Sequence, residues 1–69
     1  MRRFVWRQAG SRVHELVDED GNVVRTITTI LPSSGDPSVG YHVMTTDGWL
    51  ESAHAALGDA MNAAEKAAE

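Results

Sequence analysis

The chain has 69 residues, no cysteine and a formal net charge of −4. A domain this short buries only about 60% of the surface its unfolded chain exposes. Without cysteine it has neither disulfides nor thiolate metal sites to brace it, so a single domain over residues 1–69 must rely on good packing or on self-association. Residues 3–8, RFVWRQ, alternate Phe4 and Trp6 with Val5 and Arg7, the period-two pattern of a half-buried strand. After the turn signal Ala9-Gly10-Ser11, residues 12–18 alternate again, with Val13, Glu15 and Val17 opposite His14 and Leu16, so both faces are partly apolar. Asp20-Gly21 then predicts a hairpin, because glycine accepts the positive φ that a tight hairpin turn needs.

Residues 22–31 hold the densest β-branched content and form the third predicted strand. Two prolines and a glycine mark 32–38 as a loop, and 39–45 return as a strand with Val39, Tyr41 and Val43 on one face. Thr46-Asp47-Gly48 turns the chain once more. Ser52 is the N-cap candidate for a helix over 52–68, its oxygen accepting an orphan backbone N–H, although no glutamate follows at the capping-box position. At 100° per residue, Ala53, Ala56, Leu57, Ala60, Met61, Ala64, Ala67 and Ala68 fall within about 140° of one another, the arc of a core-facing helix. Asp59, Asn62, Glu65, Lys66 and Glu69 take the far side, together with Gly58, which costs roughly 1 kcal/mol against alanine in a helix interior.

These elements predict an α+β fold: a three- to four-stranded antiparallel meander packed by one C-terminal helix. The alanines allow close approach, and the sheet supplies bulk. Candidate core residues are Phe4, Trp6, Ile27 and Val43 from the strands and Leu57 and Met61 from the helix. One sheet face is left uncovered, with Val5, Leu16, Val24 and Ile30 as candidates to line it.

Charge is unevenly placed. Residues 1–31 carry five arginines against four carboxylates, net +1, and residues 32–69 carry six carboxylates against Lys66, net −5. The acidic balance favours solubility and runs against the basic footprint of dedicated nucleic-acid binders. Arg2-Arg3 is followed by polar residues rather than an apolar h-region, so no export signal is expected. No run approaches the roughly 20 apolar residues of a membrane span. A cytoplasmic location follows as the expectation.

Little in the chain points to catalysis. His14, His42 and His54 match no ligand spacing, although His14 and His42 would meet if their strands were neighbours in the right register. Ser52, His54 and Asp59 would all sit on one predicted helix, too constrained for a triad. SSGDPSVG lacks the lysine of a phosphate-binding loop. The reading is therefore a non-enzyme, with no cofactor, no metal and no small-molecule substrate.

The order of elements resembles a class of very short bacteriophage and prophage proteins, mostly of unassigned function. The features that carry the likeness are Trp6 on an early strand, the Asp20-Gly21 turn, the β-branched run from Val23 to Ile30, Tyr41, and the closing SAHAALGDAMNAAEKAAE. The resemblance implies a phage setting in which small acidic proteins grip one host or phage macromolecule. The stretch Leu50-Glu51-Ser52-Ala53, followed by an alanine-rich helix, is also similar to the sheet-to-helix junction of HicB-type antitoxins.

Together these features predict an accessory protein that works by protein–protein binding, to a host or phage protein or to a second copy of itself. The candidate contact residues are Arg3, Arg7, Arg12, Arg25 and Tyr41. The alternative is a nucleic-acid-binding or antitoxin-like regulator that uses the same strand arginines. Nucleic acid fits less well, because Trp6 and Arg7 point to opposite sides of their strand and cannot form one stacking platform.

Overall fold

The computed structural model describes residues 3–30 and 40–69. Five strands precede one helix: β1 (Phe4–Gly10), β2 (Val13–Asp18), β3 (Val23–Ile30), β4 (Gly40–Met44), β5 (Leu50–His54) and α1 (Leu57–Ala68). The strands form a single antiparallel sheet in the order β1-β2-β3-β4-β5, so each pairs with its neighbours in sequence. The α+β meander with a C-terminal helix is as the sequence predicts, with one strand more than the four read from it. The predicted loop over 32–38 and the strand ends Leu31 and Val39 lie outside the described residues.

Two short segments of like sequence, DEDGN and TTDGW, fold the sheet. In the first, Gly21 N–H donates to the Asp18 carbonyl at 3.0 Å and Asp18 N–H to the Asn22 carbonyl at 2.9 Å. In the second, Gly48 N–H donates to the Thr45 carbonyl at 3.0 Å and Thr45 N–H to the Trp49 carbonyl at 2.9 Å. Each glycine is the fourth residue of its segment, with φ of +86° at Gly21 and +87° at Gly48, a conformation in which a Cβ is penalised. The first residue's side chain braces each turn. Asp18 Oδ1 accepts the N–H groups of Asp20 and Asn22, both at 2.9 Å, and Thr45 Oγ1 accepts that of Trp49 at 3.1 Å.

The second turn corrects the reading of residues 52–68 as one helix. It delivers Leu50–His54 alongside β4, with Tyr41 opposite His54 and Val43 opposite Ser52. Backbone pairing to an otherwise open strand edge outweighs the helical propensity of LESAH, a contest that tertiary context routinely decides. Ser52 is therefore a strand residue and not an N-cap. The helix starts at Leu57, with Ala56 in extended conformation at its N-cap and no side chain capping it. Gly58 falls in the first turn rather than the interior, where a glycine costs less.

Helix α1 lies over β3, β4 and β5. The core between them consists of Leu16, Ile27, Val43, Ala60 and Ala64, all fully buried. Phe4, Trp6, Val24, Tyr41, Leu57, Met61 and Ala68 pack partly buried around it. Ala60 and Ala64 are four residues apart on one helix face and let the backbone settle close to the sheet. Ala53 belongs to β5 and is exposed, and Ala56 and Ala67 are exposed as well, so the alanine face in contact is narrower than the helical wheel predicts.

Bulges decide which side chains share a face. Between β2 and β3 the register passes from Leu16↔Arg25 to Val17↔Val23, leaving Val24 as the extra residue. Val24 and Arg25 thus both turn toward the helix, as residues at a bulge do. Between β4 and β5 Glu51 is the extra residue, with Met44 opposite Leu50. Leu16 and Val24, expected as candidates for the uncovered face, instead belong to the helix-covered side. Val5 does lie on the uncovered face.

Candidate interaction surface

The face turned away from α1 can be followed strand by strand from the pairing. One row runs Val5–Val17–Val23, a second Arg7–Glu15–Thr26–Met44–Leu50, and a third Val13–Thr28–His42–Ala53. Valine, threonine, methionine and leucine dominate it. A shallow depression of about 480 Å3 lies on this face between β3 and the β4–β5 hairpin, lined by Val23, Thr26, Thr28, Met44, Thr45, Thr46 and Gly48.

Among the described residues, the large hydrophobic side chains that stand exposed are Val5 (65%), Trp49 (73%) and Leu50 (55%). Val5 and Leu50 belong to the uncovered face at opposite edges of the sheet, and Trp49 sits beside Leu50 at the mouth of the β4–β5 hairpin. Val17, between Val5 and Val23, retains only 8% exposure. The exposed apolar side chains of this face therefore stand at its two edges, with Val17 buried between Val5 and Val23.

Its charged residues cancel. Arg7 Nη2 and Nε donate to Glu15 Oε1 at 2.7 and 3.1 Å across the β1–β2 pair. On the helix side, Arg25 Nε donates to Glu51 Oε1 at 3.0 Å and Oε2 at 3.2 Å. Its Nη1 reaches the Val24 carbonyl at 2.6 Å and its Nη2 the Ala67 carbonyl at 3.3 Å. Arg25 thereby ties β3, β5 and the last turn of α1 together, placing a cation where the helix carbonyls are left without partners.

The five contact candidates named from the sequence do not share one surface. Arg3 precedes β1 and is exposed, Arg7 lies on the uncovered face, and Arg12 is exposed in the β1–β2 turn. Arg25 and Tyr41 are half-buried on the helix side, Tyr41 against the core. His14 and His42 do not meet: β3 separates their strands, and His14 pairs with Ile27 on the helix side while His42 pairs with Thr28 on the other.

Ser52 and His54 are two apart on β5 rather than on a helix, and share its helix side. His54 Nε2 lies 2.9 Å from Ser52 Oγ, which satisfies two half-buried polar groups. Asp59 is exposed in the first turn of α1. Among the described residues no group of three histidine, aspartate or glutamate side chains is placed to hold a metal ion, and no helix is long and apolar enough to cross a membrane. Trp6 Nε1 and His14 Nδ1 are buried on the helix side of β1 and β2 without a hydrogen-bond partner.

Sequence reasoning passed over Trp49 and Leu50 as contact residues, placing Leu50 only at a sheet-to-helix junction. The available signal was a large aromatic placed directly after an Asp-Gly turn, where the chain is bound to be near the surface. No protein-family model matches the chain, and no significant match appears among curated proteins or solved structures.

Proposed function

We propose that this protein is a small non-enzymatic binding module, of the phage accessory type its sequence resembles, that acts in the cytoplasm by gripping protein through the uncovered face of its sheet. The observation that carries this reading is the exposure of Val5 and Leu50 on one continuous, charge-neutral face, with Trp49 at its rim. An exposed aromatic such as Trp49, beside apolar residues and framed by polar ones, is a usual anchor of protein recognition. Nucleic-acid binding draws less support, because Arg7 and Arg25 are each bonded to a carboxylate and lie on opposite sides of the sheet. Few cations remain to displace counterions from a phosphate backbone.

The test is a pull-down from bacterial lysate treated with nuclease, with a tagged and an untagged copy of the chain expressed together, scoring protein and nucleic acid. The binding reading expects a stoichiometric protein, either the untagged copy or another chain, that is lost with Leu50→Glu. Recovery of nucleic acid alone, or of a protein indifferent to Leu50→Glu, would overturn it.

A further inference from the structure

We infer that the occupant of the uncovered face is a second copy of this chain, joined face to face about a two-fold axis into a helix–sheet–sheet–helix sandwich. This rests on reading that face as a protein-binding surface, and adds the partner.

Charge is the first argument. Each copy carries −4 overall, so mutual repulsion favours contact through a region where that charge is absent. On the uncovered face Arg7 and Glu15 neutralise each other at 2.7 Å. The other carboxylates of the described residues lie elsewhere. Asp18, Glu19, Asp20 and Asp47 are in or beside the two hairpin turns, Glu51 is bonded to Arg25 on the helix side, and Asp59, Glu65 and Glu69 follow along the helix. A strongly basic partner would be drawn to the helix and turns. The neutral Val/Thr/Met/Leu face has as its match another neutral apolar face, and a second copy supplies one.

Area is the second argument. Five strands spaced about 4.8 Å apart and rising about 3.3 Å per residue give a face of roughly 24 by 20 Å, about 500 Å2 in projection. The relief of the side chains makes the accessible area larger, within reach of the roughly 600 Å2 per partner at the lower end of specific interfaces. A two-fold arrangement is isologous, so one patch serves both copies. Sheets with branched inner residues pack about 10 Å apart in this way.

Sedimentation equilibrium of the full chain at micromolar concentrations is expected to give twice the 7.5 kDa chain mass. Val5→Glu and Leu50→Glu are each expected to shift the species to a monomer with unchanged circular dichroism. Because a variant may fail to fold, cysteine placement gives a second readout in a chain that has none. A short bis-maleimide is expected to link copies carrying Thr26→Cys, at the middle of the central strand, and not copies carrying Asn62→Cys, on the outer side of α1.

A wild-type monomer throughout the range would overturn the inference, as would a folded dimer in both glutamate variants or cross-linking through Asn62→Cys alone. A wild-type monomer that still retains a different protein in a Leu50-dependent way overturns the second copy and leaves the binding reading standing. A monomer retaining only nucleic acid overturns both.

Discussion

The two faces of the sheet are built from the same strands, one residue out of step, and end in opposite circumstances. Leu16, Ile27 and Val43 on the helix side have no exposed surface at all, whereas Val5 and Leu50 on the other keep more than half of theirs. The difference is not one of hydrophobicity alone, since both faces are rich in branched apolar residues. It lies in what each face meets. The helix brings Ala60 and Ala64 into contact and Arg25 fixes its far end, while among the described residues none reaches across the other side. A face that is apolar and closed supplies stability. A face that is apolar and open offers binding.

The largest effect that tests this contrast is truncation on the helix side, set against the same truncation on the other. Ile27→Ala should cost about 2–5 kcal/mol, the range for deleting a fully buried aliphatic chain, and in a domain this small it is expected to abolish the urea unfolding transition or move it near zero denaturant. Val5→Ala, a larger loss of exposed surface than of packing, should stay within about 0.5 kcal/mol under conditions where the chain is monomeric. Equal costs at the two sites would mean that the faces are not divided as described.

Arg25→Ala comes next. It strands the Glu51 carboxylate and leaves the Ala67 carbonyl without its donor, and hydrogen bonds to charged groups are worth about 1.5–3 kcal/mol. The pair keeps 21% and 30% side-chain exposure, so solvent screening places the loss toward the lower end. Hydrogen exchange should locate it, with amides in the last turn of α1 losing protection before those of β2 and β3. Uniform loss across the chain would remove Arg25 from its role as the tie between helix and sheet.

A smaller loss than at Arg25 is expected at the turn that presents Leu50. Gly48→Ala forces a Cβ onto a residue at φ +87°, at roughly 1–2 kcal/mol, with no atom within 4 Å for the added methyl to strike. Thermal unfolding should register that strain, and Gly48→Asn, which tolerates positive φ better, should recover part of it. An unchanged melting temperature in Gly48→Ala would show that the β4–β5 hairpin does not depend on its turn.

Most of the sheet was legible because period-two alternation and the two Asp-Gly turns are local signals that nothing overrides. Leu50–His54 was not legible. Leu, Glu, Ser and Ala are ordinary helix residues, and only the hydrogen-bonding edge of β4 makes a strand of them. The faces resisted for a related reason. Val24 and Arg25 are consecutive, and the bulge that turns both toward the helix is a property of two strands together. The same limit hid the candidate surface: arginines stand out in a sequence, but that Arg7 and Arg25 are each held by a glutamate on another strand, eight and 26 positions away, follows from register alone.

The meander also bears on the path by which the molecule forms. Each strand pairs with the one before it, and the connections at β1–β2, β2–β3 and β4–β5 are two, four and five residues long. Closing such short loops costs little chain entropy, so the sheet can grow hairpin by hairpin without waiting for a distant segment. Low contact order of this kind places folding toward the fast end of the range for β-rich domains. The helix follows all five strands in sequence, so it can dock on a template they have laid down, on the side opposite Val5 and Leu50.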